Sequence, residues 1–335
     1  MSLQSLIFSL CRDSGDDISI PRRQSAGDNT PREAPCPQDG SRPGTVAVMR
    51  PGALGDTILA LPLLNSVRER HPGSRIVFLG TRSYADLVPD WAEFQSVDHS
   101  HWTWLFDSAD RPLPSHAAGF DAAYVVLNHP KPVITNLKRT GTRVIAHTSS
   151  RPLCGEHVVE HIHRGLGLSV PPKIPCLGTR TAQKEHLIWI HPGSGGPAKC
   201  APLDWLIRFS EALREHVNWP RIVTAGEEDA FLKNLPDWKI LVGSPCTRLL
   251  EHQPLDKLRK ILRNASLFIG NDSGMSHLAA ALGVPAMVFY VSTDPTQWAP
   301  WVPSDQLGAV DMRGQDFADT DIHRLVSQAI KLIGD

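Results

Sequence analysis

Three turns gather residue types that can hold a phosphate or move a proton. The first is Asn271-Asp272-Ser273-Gly274-Met275-Ser276-His277. It follows a short apolar run, 267–269, and leads into an Ala- and Leu-rich helical stretch that Gly283 and Pro285 end. Another apolar run, 286–291, comes next, so the pattern reads as a tight βαβ unit. Backbone N–H groups at the start of such a helix face an anion, and Gly274 lets the chain approach one closely. Asp272 or Ser273 would also serve as a plain helix cap, and the two roles are compatible. The second turn, His-Pro-Gly-Ser-Gly-Gly-Pro-Ala-Lys at 191–199, places Gly193, Gly195 and Gly196 beside Lys199. Glycine-freed N–H groups with a nearby cation can hold a diphosphate, and Ser194 adds a hydroxyl. The third is Arg-Pro-Gly-Ala-Leu-Gly at 50–55, followed by Asp56. A carboxylate there suits the helix dipole by itself.

Two further features compete for attention. Glu227 and Glu228 follow an apolar run at 221–225, where an acid can take the hydroxyls of a ribose; a solvated acidic turn is the plain alternative, and of the two Glu228 is the candidate. His157-Val-Val-Glu160-His161 fits H-x-x-E-H, whose histidines can share a helix face and bind zinc. Val158, Val159, Ile162, Leu166 and Leu168 around it read instead as a packed helix with a polar edge. No metal site is expected.

The stretch N-D-S-G-M-S-H-L-A-A-A-L-G-V-P, with T-D-P-T-Q-W-A-P after it, strongly resembles the C-terminal signature of the glycosyltransferase family 9 heptosyltransferases. R-P-G-A-L-G-D-T-I-L-A-L-P resembles that family's N-terminal motif, and H-P-G-S-G-G-P-A-K its H-P-G-S-G-S-x-x-K. The resemblance spans about 45 to 330. It implies an α/β protein of the GT-B class, two facing Rossmann-like domains with parallel sheets. It implies an inverting transferase that takes a nucleotide-sugar co-substrate, ADP-L-glycero-D-manno-heptose, and no further cofactor. The acceptor would be a glycan or glycolipid such as lipopolysaccharide inner core.

By the same resemblance Asp56 is the general base that removes the acceptor hydroxyl proton. Lys199 meets the donor phosphates, Asp272 the sugar hydroxyls, and Ser273 and Gly274 the diphosphate. Met275 and His277 complete the donor turn, and Glu228 takes the ribose. Three positions depart from the pattern: Ala53 stands where Ser is frequent, Cys200-Ala201 where Asn-Trp is, and Ser273 where Thr is. A same-fold transferase with another donor or a small-molecule acceptor is the alternative, and a non-catalytic nucleotide-binding module is a third reading.

Elements must position these turns. Apolar runs separated by helical stretches throughout imply parallel sheets with helices on both faces. P-G-x-x-G recurs at 51–55 and 192–196, each time after the first strand of a half, so the chain reads as two Rossmann-like halves with a ligand in the cleft between them. Expected boundaries are a disordered extension at 1–44, rich in Ser, Asp, Arg, Pro and Gly, an acceptor domain at 45–172 and a donor domain at 182–335. The last helix, 320–333, is expected to be capped by Asp319 or Thr320 and to be able to pack back on the first domain. A helix at 56–70 is expected to be amphipathic, with Ile58, Leu61, Leu64 and Val67 on one side and Pro62 in its first turns. Residues 240–243 read as a strand.

Composition narrows the class. In 335 residues, 34 Lys and Arg face 35 Asp and Glu, which gives no global basic field for nucleic acid. Six widely spaced cysteines without C-x-x-C fit a reducing, cytoplasmic setting better than a disulfide framework. No apolar run approaches a membrane span, and the first residues lack signal-peptide features. A monomer, with peripheral contact at the inner membrane face, is the expected state. Arg50, Lys131 and Arg143, among scattered basic residues of the first half, could line a groove for an anionic acceptor. Trp102, Trp104 and Trp298 could stack on sugars or simply pack.

Overall fold

A computed structural model describes residues 44–108, 110–178 and 185–334. The extension expected before Gly44 lies outside the described residues. The chain forms two compact units.

The first unit runs to Gly52 and takes in Pro62–Pro152 and Glu160–Pro171. Its strands are β1 (Thr45–Met49), β2 (Arg75–Gly80), β3 (Ala92–Ser96), β4 (Ala122–Val126) and β5 (Val144–Thr148). They form one parallel sheet in the order β3-β2-β1-β4-β5. The Val, Ala and Leu runs of the three middle strands are buried on both faces, as a helix-covered parallel sheet requires. One face carries a cluster of Ala47, Met49, Val77, Leu79, Trp102, Trp104 and Phe120.

The second unit contains Ala53–Leu61, Leu153–Val159 and Pro172–Asp335. Its strands are β6 (Ile188–His191), β7 (Arg221–Ala225), β8 (Thr247–Glu251), β9 (Leu267–Asn271), β10 (Ala286–Tyr290) and β11 (Leu307–Asp311). All are parallel, in the order β11-β10-β9-β6-β7-β8. The chain winds one way from β6 to β8, then crosses to β9 and winds the other way. β6 and β9 are therefore neighbours at the switch point, with Ile190 opposite Ile269 and His191 opposite Gly270. The turns that follow these two strands are the two glycine-bearing turns of this half. Strand order alone brings them side by side, where a doubly wound sheet takes its ligand.

Several elements differ from expectation, each for a physical reason. Helix α1 spans Leu54–Arg70, so Pro62 sits in its interior rather than its first turns. A proline there removes the bond to the carbonyl four residues back, and the assignment to units changes between Leu61 and Pro62. α1 is buried without a break from Thr57 to Leu64, so it is an enclosed helix and not an amphipathic one. Residues 240–243 belong to a helix, α5 (Pro236–Gly243), after α2 (Lys131–Arg139), α3 (Val158–Gly165) and α4 (Leu203–Arg214). Pro236 suits a first helical position, and Trp238 and Leu241 are buried three apart while Ile240 points out, 56% exposed. The strand comes just after, as β8.

The remaining helices are α6 (Leu255–Leu262), α7 (Gly274–Ala281), α8 (Pro295–Trp298) and α9 (Ile322–Ile333). Asp321 caps α9 by accepting the Arg324 N–H, in place of the expected Asp319 or Thr320. Leu325, Val326, Ala329 and Ile333 of α9 join the cluster of Trp205, Leu206, Phe209 and Phe289. The last helix thus buries its apolar stripe within the second unit. Among the described residues no helix is long and apolar enough to cross a membrane.

Candidate active site

The turn after β9 is built by its own hydroxyls. Ser273 is the N-cap of α7, and its side chain accepts the Ser276 N–H while the Ser276 hydroxyl accepts the Ser273 N–H, at 3.4 and 3.3 Å. This reciprocal pair fixes the start of the helix. The N–H groups of Gly274 and Met275 are the first two of α7, and such groups have no partner within their helix. The plain capping role and an anion-facing role coexist here.

Asn271 ties this turn to the glycine turn after β6. Its amide N–H₂ donates to Pro192 O at 2.7 Å, and its Oδ1 accepts Ala201 N–H at 2.9 Å. The Ser194 hydroxyl donates to Asp272 O at 2.5 Å and is buried, so in this structure it joins the two turns. A second fastening sits behind the glycines. Asp229 is buried, accepts the Gly226 N–H at 2.7 Å, and stands 3.7 Å from His191 Nε2. A Cβ on Gly193 would fall 1.7 Å from Asp229 Oδ1. Only glycine fits there. His191 Nδ1 lies 3.1 Å from Thr224 O. Burial pulls the His191 pKa below its ordinary value, against the opposing influence of Asp229 and Thr224.

Asp272 is the electrostatic centre. It is 7% exposed. Thr293 donates to its Oδ2 at 2.7 Å, Lys199 Nζ lies 3.5 Å from the same oxygen, and His277 Nε2 lies 3.8 Å from Oδ1. Burial alone would raise its pKa, but His277, Lys199 and Thr293 together hold the carboxyl below the usual range. Lys199, at the end of a single turn over Pro197–Lys199, keeps its side chain 42% exposed and can reach an incoming anion. Next to it Cys200 is half-buried, and burial, then Asp229, push its thiol up to about 12.

Asp56 belongs to the segment Ala53–Leu61 of this same unit. Its Oδ2 accepts the Ala53 N–H at 3.0 Å, so it does cap its own helix. The residue before it lies against the turn after β9. A Cβ on Gly55 would come 3.0 Å from His277 Cδ2 and 3.7 Å from Gly274 Cα. Asp56, Lys199, Asp272, Ser273, Gly274, Met275 and His277 are thereby all residues of one compact unit. Glu228 is exposed at the carboxyl end of β7.

Of the basic candidates, Arg143 stands apart from the other two. Arg50 is buried after β1, with Nη1 donating to Pro51 O at 3.1 Å. Lys131 is exposed at the start of α2. Arg143 precedes β5 and lies 3.6 Å from Asp121, which precedes β4, so it sits at the amino end of the first sheet. The H-x-x-E-H histidines are otherwise engaged. His157 Nε2 donates to Ala299 O at 2.7 Å and its Nδ1 accepts the Val159 N–H, while His161 Nε2 is 3.4 Å from Thr148 Oγ1. Among the described residues no group of three or more His, Cys, Asp or Glu is placed to hold a metal.

Asn271 and Asp229 are the residues that sequence reasoning missed. Asn271 heads the N-D-S-G run; Asp229 is the last acid of Glu-Glu-Asp and the one that turns inward.

Two parallel-sheet α/β units in one chain, the second doubly wound with two glycine-bearing turns at its switch point, are the architecture of the GT-B class. Comparison with known proteins agrees. Residues 172–323 match the family model described as glycosyltransferase family 9 (heptosyltransferase). Lipopolysaccharide heptosyltransferase 3 of Escherichia coli K12 is 24% identical over 292 residues, 74% of this chain and 82% of that protein. Among solved structures, a family 9 glycosyltransferase from Veillonella parvula gives a TM-score of 0.64 at 15% identity, covering 87% of this chain and 97% of its own. The Escherichia coli heptosyltransferase WaaC with ADP gives 0.61 at 16%, covering 87% and 100%. Over residues 172–323 the chain is similar to glycosyltransferase family 9, the heptosyltransferase family, and it is read accordingly as a glycosyltransferase.

Proposed function

We propose that the protein transfers a heptose from ADP-heptose to a hydroxyl of a lipopolysaccharide-type glycan, with inversion at the anomeric carbon. The observation that supports this reading is that Gly55, the residue before Asp56, lies against His277 and Gly274 of the turn after β9. In this reading Asp56 takes the proton of the attacking hydroxyl. The leaving diphosphate is met by Lys199 and by the N–H groups of Gly274 and Met275, groups already fixed before charge develops. Asp272, held ionised by its neighbours, receives hydroxyls of the sugar, and Glu228 is positioned for a ribose. The relative titled as a lipopolysaccharide heptosyltransferase supports the donor and acceptor classes, as does a neighbour solved with ADP-2-deoxy-2-fluoro heptose.

The test is transfer from ADP-heptose by wild type and Asp56→Asn. Asparagine keeps an oxygen for the Ala53 N–H, so the helix start survives. The expected loss in kcat is about 10²–10⁴-fold, with donor binding retained. Equal rates would remove Asp56 as the base, and turnover with a different nucleotide sugar only would replace the donor.

A further inference from the structure

The first unit holds a cavity of about 480 Å³ at the amino end of its sheet, beside the first residues of β1 and β2, Thr45 and Arg75. The Arg50–Gly52 turn leaves β1 from the other end, so the cavity is separate from the turns described above. Its size is that of a small-molecule site.

Its chemistry is polar but uncharged on balance. Arg75 donates to Glu93 through Nε at 2.7 Å and also through Nη2, and the Gln95 amide donates to the other carboxylate oxygen at 2.7 Å. The one carboxylate and the one guanidinium of the lining thus neutralise each other, and the Gln95 carbonyl is left to accept. Three imidazoles complete the polar wall. His99 Nδ1 accepts the His101 N–H at 3.1 Å, so its proton is on Nε2, a donor. His116 Nε2 donates to His101 O at 3.1 Å, so its Nδ1 is an acceptor. The rings of His101 and His116 stack at 4.4 Å.

The apolar part of the lining is Val77, with Trp102 and Phe120 stacked 6.0 Å apart. Trp102 is buried, and among the described residues its indole N–H has no acceptor. A buried indole N–H usually finds one.

We propose that this cavity binds a neutral sugar ring. A pyranose offers an apolar face to Val77, Trp102 and Phe120, and alternating hydroxyl donors and acceptors to His99, His116 and Gln95. A charged ligand would meet no uncompensated partner. The site is independent of the transfer reaction proposed above.

The experiment uses the full chain and the methyl glycosides of glucose, galactose and mannose, observed by saturation-transfer NMR and titrated. At least one is expected to bind. Gln95→Ala and His116→Ala each remove one hydrogen-bonding group and should weaken it about tenfold. Trp102→Phe keeps an aromatic face but removes the five-membered part of the indole with its N–H, and should weaken it by a smaller factor. Lys199→Ala, in the other unit, should leave it unchanged. Circular dichroism confirms that each variant is folded. The proposal is overturned if none of the three glycosides binds, if folded Gln95→Ala and His116→Ala bind as wild type does, or if Lys199→Ala abolishes binding.

Discussion

Leu54 and Gly274 meet so closely that a side chain on the second has nowhere to go: a Cβ at 274 would lie 2.7 Å from Leu54 Cβ. Backbone and Cβ are the rigid parts of a residue, so the contact cannot relax by a rotamer change. Gly274→Ala is therefore expected to destabilise the protein by about 1–3 kcal/mol, and to lower transfer further by separating Asp56 from the donor turn. Gly195→Ala is the control, since a Cβ there meets nothing within 4 Å. Thermal melts and initial rates of both variants check this; a Gly274→Ala protein as stable and active as Gly195→Ala would refute it.

Asp272 makes acid sensitivity a property of the site. Its folded-state pKa lies below the ordinary carboxylate value. Such a group contributes stability that is complete above the unfolded pKa and is lost as pH falls through the folded one. Removing His277, first among the groups that oppose burial, should bring the folded pKa up. His277→Gln is expected to be less stable than wild type near neutrality, by an amount that shrinks as pH falls through the folded-state pKa, so that its stability falls less steeply over the acid limb. An acid limb as steep as that of wild type would mean that His277 does not hold the carboxylate.

Lys199 supplies charge to whatever the glycine turn holds, and its side chain is partly exposed. Lys199→Met keeps the stem and removes the ammonium. The donor KM should rise about tenfold or more, as expected for a lost charge-assisted bond, and the melting temperature should fall, because the buried Asp272 carboxylate loses one of its cationic partners. Calorimetric titration with ADP measures the effect without turnover.

The thiols should divide by surroundings. Cys200 and Cys176 are both pushed up to about 12, mainly by burial, whereas Cys154 and Cys246 are exposed. The thiolate is the reactive form. Brief alkylation of the native protein at pH 8, read by peptide mass mapping, should label Cys154 and Cys246 and spare Cys200 and Cys176. Early labelling of Cys200 would show that the glycine turn opens.

Much of the site was legible because its turns carry chemistry in consecutive residues. The Asn271–His277 run and the 191–199 run announce themselves by glycines, hydroxyls and a lysine between apolar runs, and both fall at carboxyl ends of strands. Asp229 was not legible, because nothing in Glu-Glu-Asp says which acid turns inward; the missing side chain of Gly193, 36 positions earlier by number, decides it. The fold was legible where strands are continuous and apolar. It failed at the sheet margins: β3 reads Ala-Glu-Phe-Gln-Ser, a polar edge strand without a clear period, and the apolar end of α5 imitated a strand. Pro62 looked like a residue of an early turn because the helix start was placed at Asp56, two residues late.

The carboxylate of Asp229 occupies the volume that any side chain on Gly193 would need. These two positions therefore cannot drift separately. A methyl group at 193 becomes tolerable only if 229 shrinks, and a shrunken 229 releases the Gly226 amide and leaves His191 facing empty space. The shape of the glycine turn after β6 is in this sense stored in the turn after β7, as a bulge matched to a void.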